Sequence, residues 1–278
     1  MSGTGVRHAY LLDYGLMQAE WGWFLPDAAT YSQKDKPRKW VEFPMSGALI
    51  EHEDGWIMID SGPSPEAAKV WPKESFEAFP VVKFSEENVS VNQLKLLGLK
   101  PEDIRAIIFT HLHLDHVGQA YLFRDSSFLI AHRRELEHAL VQMWEGKYGA
   151  YVPADFEPLK GARWVLVDEE RLEVLPGVEV IHTGGHTPGH MVVRVEAPNG
   201  DVWYFMGDFF HMPEEFQAES KGWLLFNGEQ FESFTRKMKF WTSSRSVHMF
   251  ITHDPTNWQK CPKGMKVLLR IDVNSPVD

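Results

Sequence analysis

The stretch Phe109–Gly118, FTHLHLDHVG, puts His111, His113, Asp115 and His116 on one short turn after the apolar run IRAIIF. Imidazole and carboxylate are ordinary ligands for zinc and similar divalent ions. In extended chain, residues two apart project to the same side, so His111 and His113 share a direction. After the turn, Asp115 and His116 face a second point nearby. A single turn cannot surround two metals, so further ligands belong at other strand ends. HTGGHTPGH places His186 in a Gly-rich turn after a strand, YFMGDFF brings Asp208 out of an apolar run, and MFITHDP does the same for His253. Such a site suits hydrolysis of an acyl or related bond. A bound divalent ion lowers the pKa of water to about 7, giving a hydroxide nucleophile, and it polarises the carbonyl under attack.

The elements that position these residues follow from apolar patterning. HAYLLDYG and SGALIEHEDGWIMIDSG read as strands, the second a hairpin turned at Glu53-Asp54-Gly55. SVNQLKLLGL reads as a helix capped by Ser90, with Leu94, Leu97 and Leu99 on its apolar face. Further strands are expected over IRAIIFT, SSFLIAH, RWVLV, VEVIHT, HMVVRVEA, DVWYFMGD and SVHMFITHD. Helices are expected from about Arg133 to Trp144 and across GEQFESFTRKMKFW. PDAATYSQKDKPRKW and EEFQAESKGWLLFNG are the most loop-like stretches. Two strand-rich halves with helices between them predict an α/β fold of two sheets packed face to face, helices outside. With no repeat or linker in 278 residues, residues 1–278 are expected to form one domain.

Composition removes other classes. Apolar residues make up 44% and charges are spread along the chain, which describes a globular protein. The balance of 28 Lys+Arg against 39 Asp+Glu, −11, repels phosphate backbones and argues against a nucleic-acid partner. Cys261 is the only cysteine, so neither an intrachain disulfide nor a Cys-rich metal site is possible. The N-terminal sequence lacks a basic-then-apolar signal, and no apolar run reaches the roughly 20 residues of a membrane span. A soluble, cytoplasmic protein without a membrane partner is expected.

The series H-x-H-x-D-H, G-H-T-P-G-H, G-D and a terminal histidine resembles the ligand series of the metallo-β-lactamase superfamily, from Tyr10 to about Trp258. The resemblance implies an αβ/βα sandwich with two mixed sheets and a dinuclear site between the sheet edges. It implies that His111, His113 and His186 hold one zinc, that Asp115, His116 and His253 hold the other, and that Asp208 bridges them. Iron, cobalt or manganese could replace zinc. Asp60, in MIDSG, matches an early aspartate that supports the ligand loop without binding metal. Asp115, loosely coordinated, could also take up and return a proton.

VEFPMSGALIEHEDGWIMIDSG, FTHLHLDHVGQAYLF and THDPTNW look most like the N-acyl homoserine lactonase branch. That likeness implies opening of a lactone ring by metal-activated hydroxide. It also implies an N-terminal loop lining an acyl-chain pocket, for which Met17, Trp21, Trp23, Phe24 and Leu25 are candidates. One position departs. Those lactonases usually carry a tyrosine three residues after the bridging aspartate, whereas GDFFHM puts His211 there. A neutral imidazole N–H can donate the same hydrogen bond to the substrate.

The rival reading is thioester hydrolysis of the glyoxalase II type, with Lys260, Lys263, Lys266 and Arg270 available for the carboxylates of glutathione. Flavin-linked di-iron members place a glutamate where His113 stands and need a flavin domain. Nuclease members need basic surfaces. His190 reads as a support or packing residue, His132 and His138 as solvated, and His8, His52, His182 and His248 as ordinary. The aromatic N-terminal loop and GWLLF, Gly222–Phe226, supply apolar surface expected to pair with a second copy in a homodimer.

Overall fold

Period-two alternation of apolar residues builds two sheets that share one dry interface. In the structure, a computed structural model describing residues 4–147 and 149–256 and the backbone of 268–271, the first sheet contains β1 (Val6–Glu20), β2 (Trp40–His52), β3 (Gly55–Ile59), β4 (Val81–Lys83), β5 (Ile104–Ile108), β6 (Phe128–His132) and β7 (Arg163–Val167). The second contains β8 (Arg171–Leu175), β9 (Val178–His182), β10 (Met191–Glu196), β11 (Val202–Phe205) and β12 (Val247–Phe250). Strand β13 (Leu268–Ile271) returns to the first sheet beside β1. The path across the first sheet is β13-β1-β2-β3-β5-β6-β7, with β4 also on β1, and across the second β12-β11-β10-β9-β8. Strands β3, β5, β6 and β7 run parallel, as do β11 and β12, so both sheets are mixed.

Helices α1 (Ala67–Val70), α2 (Lys73–Ala78), α3 (Ser90–Lys95), α4 (Leu114–Val117), α5 (Arg133–Trp144), α6 (Pro153–Phe156), α7 (Pro213–Ala218) and α8 (Gly228–Trp241) flank the sheets. Alternate side chains of each strand go to opposite layers. Ala106 and Ile108 of β5 enter the core between the sheets, while Ile107 between them packs on the helix side. On the other sheet, Trp203 and Phe205 face inward while Tyr204 meets Phe234 and Met238 of α8. This is the expected αβ/βα sandwich. Strand β5 is buried on both faces except at Arg105, which explains why apolar residues fill the rest of it.

Several local expectations are corrected. Helix α3 stops at Lys95 and its N-cap is Val89; the Ser90 hydroxyl instead donates to the buried Gln119 side chain at 3.0 Å. EEFQAESKGWLLFNG is not all loop, because α7 covers its start, with Pro213 at the first position and Glu214 and Glu215 in the first turn. That is a readable helix-start signal. Strands β4, β8 and β13 were not anticipated, SVHMFITHD having read as the last strand; β4 and β8 are short and only partly buried. His132 is buried rather than solvated, at 2% exposure, because its ring stacks on His182 with centroids 4.2 Å apart. His138 is half-buried, in contact with the rings of Tyr151 and Phe226.

Among the described residues, no helix is long and apolar enough to cross a membrane. Trp258, Lys260, Cys261, Lys263 and Lys266 lie outside the described residues, and Arg270 is described only as backbone of β13.

Candidate metal centre

Every expected ligand leaves the carboxyl end of a strand at one edge of the sandwich. Asp60 follows β3, and His111, His113, Asp115 and His116 follow β5. His186 lies in the turn after β9, and Asp208 and His253 follow β11 and β12. Strands β11 and β12 are parallel with Phe205 opposite Phe250, so equal offsets carry Asp208 and His253 to the same level. Gly207, immediately before Asp208, has φ +52, and a Cβ there would stand 2.6 Å from the Thr110 side chain and 2.9 Å from His190 Nε2. Only glycine lets this turn lie against the histidine loop.

Two groups of ligand atoms form, each within 4.8 Å: His111, His113, His186 and Asp208, and Asp115, His116, Asp208 and His253. Asp208 belongs to both. In the first group His186 Nε2 lies 3.2 Å from His111 Nε2 and 3.1 Å from His113 Nδ1. Burial holds the His111 and His186 rings far below the usual imidazole range and pushes His113 down to about 3. Neutral ring nitrogens therefore converge on one point. In the second group Asp208 Oδ1 lies 3.0 Å from His253 Nε2 and 3.2 Å from His116 Nε2. Asp115 Oδ2 stands 3.5 Å from both His116 Nε2 and His253 Nε2, and burial pushes its carboxyl up. His116 Nε2 and Asp208 Oδ1 are buried with no hydrogen-bond partner. Clustered lone pairs and orphaned buried atoms fit a pair of divalent cations, whose charge would satisfy all of them at once.

The supporting hydrogen bonds fix which nitrogen faces the site. His116 Nδ1 is 2.8 Å from Asp60 Oδ2, His253 Nδ1 2.7 Å from the Pro44 carbonyl, and His186 Nδ1 3.0 Å from the Leu224 carbonyl. His111 Nδ1 lies 3.2 Å from the Thr110 hydroxyl, which donates to Asp60. Each Nδ1 faces an acceptor, so it carries the proton and Nε2 presents its lone pair inward. Asp60 also accepts from the Thr110 amide, and these bonds hold its backbone at φ 59.

Glu135, at the start of α5, is a support the sequence reading missed. It accepts hydrogen bonds from the Leu112 and Gly189 amides and from the Tyr151 and Thr187 hydroxyls. One buried carboxylate thereby ties the β5 turn to the His186 loop. His190 is fully buried, with Nδ1 2.7 Å from the Thr183 hydroxyl, in the supporting position expected of it.

Above the ligands lies a pocket whose apolar wall includes Met17, Phe24, Phe43, Phe79, Leu114 and Leu224, with His211 also lining it. Met17 and Phe24 were expected there. Trp21 and Trp23 are not among its lining residues: the Trp21 ring lies under Lys39 Nζ at 3.8 Å, and Trp23 packs behind Phe79 with centroids 5.1 Å apart. Leu25 is half-buried outside the lining. Phe43 and Phe79 were missed because a lone phenylalanine in or beside a strand reads as core. His211 is 2% exposed, with Nε2 3.2 Å from Asp208 Oδ2.

Residues 44–260 match the Metallo-beta-lactamase superfamily. The chain is 26% identical over 258 residues to an N-acyl homoserine lactonase of Agrobacterium fabrum, covering 88% of this chain and 92% of that one. It is 28% identical over 229 residues to an N-acyl homoserine lactonase of Bacillus thuringiensis subsp. kurstaki, covering 81% and 87%. The solved structure of an N-acyl homoserine lactone hydrolase, with the product N-hexanoyl-L-homoserine at its catalytic metal center, superposes with a TM-score of 0.77. There the identity is 26%, over 92% of this chain and 97% of the other. A dizinc quorum-quenching lactonase shares the fold at 15% identity, with a TM-score of 0.65 over 89% and 87% of the two chains. With the ligand-bearing strand ends all inside the matched span, this chain belongs to the metallo-beta-lactamase superfamily.

Proposed function

We propose that this chain is a dinuclear metal hydrolase, with zinc as the working metal, that opens an N-acyl homoserine lactone or a related lactone. The observation that carries the reading is the pairing of two ligand groups sharing Asp208 with an apolar pocket directly above them. A lactone bearing an acyl chain needs both an electrophilic floor and an apolar wall. The similarity to named lactonases over most of the chain supports the same substrate class.

Two bound divalent ions would acidify a water and polarise the lactone carbonyl. The chain's own groups do the rest. Met17, Phe24, Phe43 and Phe79 bury the acyl chain and exclude water around it. Asp115 takes the proton from the attacking water on its carboxylate and returns it to the ring oxygen as that bond breaks. His211 donates from Nε2 to the substrate oxygen, in the position where related lactonases carry a tyrosine.

A paired assay with homoserine lactones and S-lactoylglutathione tests the reading. Preference for the lactones is expected; preference for the thioester would replace this assignment with thioester hydrolysis. We further propose a homodimer. Trp223 and Phe226 remain 83% and 56% exposed on the segment that walls the pocket through Leu224. Light scattering at micromolar concentration should give twice the 32.0 kDa chain mass, and a monomer would remove the dimer.

A further inference from the structure

The imidazole of His211 sits among the ligands but is wired in the opposite sense. The Nδ1 atoms of His111, His116, His186 and His253 face a hydroxyl, a carboxylate or a carbonyl. The Nδ1 of His211 faces Lys221 Nζ at 2.8 Å, and an ammonium has donors only. Lys221 Nζ also donates to the Asp208 carbonyl at 2.8 Å and the Phe209 carbonyl at 3.1 Å. Its third proton has two acceptors left, His211 Nδ1 at 2.8 Å and Glu215 Oε1 at 3.3 Å, and the ring nitrogen is the nearer.

Glu215 Oε1 lies 3.2 Å from the same ring nitrogen and would accept a proton from it if Lys221 were absent. Its other oxygen accepts from the His211 and Met212 amides. Both Lys221 and Glu215 side chains are fully buried. A neutral lysine would leave the glutamate as a buried charge without a counter-ion, so the pair persists as ammonium and carboxylate. With Nδ1 accepting from Lys221, the imidazole proton must sit on Nε2, which is buried, has no hydrogen-bond partner and points at the ligand cluster.

We infer that Lys221, neutralised by Glu215, is a positioning residue that locks His211 in its Nε2–H form, making it a hydrogen-bond donor to substrate and not an eighth metal ligand. The inference rests on the lactonase reading only for which substrate oxygen receives the bond. Lys221 also fixes where the donor stands, because the same ammonium grips the Asp208 and Phe209 carbonyls of the turn that carries His211.

The decisive measurement is long-range proton–nitrogen correlation NMR on the zinc-loaded parent protein labelled at histidine. The His211 signals are identified by their loss in His211→Gln. The expected result is a protonated Nε2 and a pyridine-like Nδ1 for His211, the reverse of His116, His186 and His253. A protonated Nδ1 with a metal-shifted Nε2 would overturn the inference. In kinetics, Lys221→Met should lower kcat about 10–100-fold with KM and zinc content at parent values, and Lys221→Arg should recover most of the loss. Unchanged kcat in folded Lys221→Met would also overturn it. If that variant does not fold, the parent spectrum still decides. A parent that opens no lactone yet shows protonated Nε2 sinks only the substrate assignment, whereas an active lactonase with protonated Nδ1 sinks only this one.

Discussion

Glu135 and Glu215 are both fully buried, each behind one wall of the same pocket, and they are held in opposite ways. Glu135 receives four hydrogen bonds from neutral groups, and no cation among the described residues lies in hydrogen-bonding range of it. Burial pushes its carboxyl above the ordinary range despite those bonds. Burial presses on Glu215 too, but the Lys221 ammonium brings its carboxyl below the ordinary value. The ligand wall thus depends on dipoles aimed at one acceptor, and its charge balance is left to bound cations. The substrate wall is neutralised internally, so His211 can offer a proton without adding charge. The two walls should therefore respond differently when a single group is changed.

Asp208 is where they meet, and its loss should be largest. Asp208→Asn removes the carboxylate common to both ligand groups, so both ions are expected to go together. The several kcal/mol that metal Lewis acids supply corresponds to on the order of 10³-fold in rate or more. Elemental analysis should fall from close to two ions per chain toward none. An Asp208→Asn protein that keeps two ions would break the shared-ligand arrangement.

On the substrate wall, His211→Ala should cost on the order of 10²–10³-fold in kcat/KM, the loss typical of one donor to a developing oxyanion, with metal content unchanged. His211→Tyr would place a phenol donor at the same position and should recover activity on homoserine lactones. If His211→Ala hydrolyses every lactone as the parent does, the contrast between the walls loses its functional half.

Exchanging the two glutamates sharpens the comparison. In Glu135→Gln, one oxygen becomes an NH₂ that faces two donors, so the tie between the β5 turn, held at Oε1, and the His186 loop, held at Oε2, is broken at one end. Weakening of metal affinity by about 10–100-fold is expected, read by chelator competition. Glu215→Gln should weaken metal affinity less, because Glu215 reaches the Asp208 turn only through the His211 and Met212 amides and Lys221, and bonds no ligand residue directly. Equal metal loss in the two variants would mean that the walls are not distinct.

The ligand wall was largely legible in the sequence and the substrate wall was not. His111, His113, Asp115, His116, His186, Asp208 and His253 stand out because polar residues end apolar strands, and strand ends meet at a sheet edge whatever the details of packing. Helices α5 and α8 were readable for a similar local reason, a sustained apolar face. Lys221, Glu215 and Glu135 gave no signal, because a charged residue in a polar stretch reads as solvated. Only tertiary structure buries Lys221 against Glu215. Trp21 and Trp23 lie outside the pocket lining. Residue type made them pocket candidates, but Lys39 and Phe79, distant in sequence, claim their rings.

A third buried carboxylate, Asp155, extends the comparison to a group with neither Glu135's donors nor Glu215's counter-ion. It is 4% exposed, its Oδ2 has no hydrogen-bond partner, and burial pushes its carboxyl up to about 7 from an ordinary 3.8. The sign of the consequence is fixed by where the proton sits. Between about pH 4 and pH 7 the unfolded chain releases the Asp155 proton while the folded chain keeps it. The stability tied to that proton is therefore present at low pH and is lost as pH rises toward 7. Asp155→Asn replaces the carboxyl by a group that never ionises, which removes this slope. Comparing parent and variant at pH 5 and pH 8 cancels the effects of metal loss and of every other titrating group. Between those two values the variant should gain about 1–3 kcal/mol on the parent, seen as a shift in the difference of their Tm values. The same Tm difference at both pH values would mean that Asp155 is ionised in the folded chain, and that a buried carboxylate here survives without the partners that Glu135 and Glu215 require.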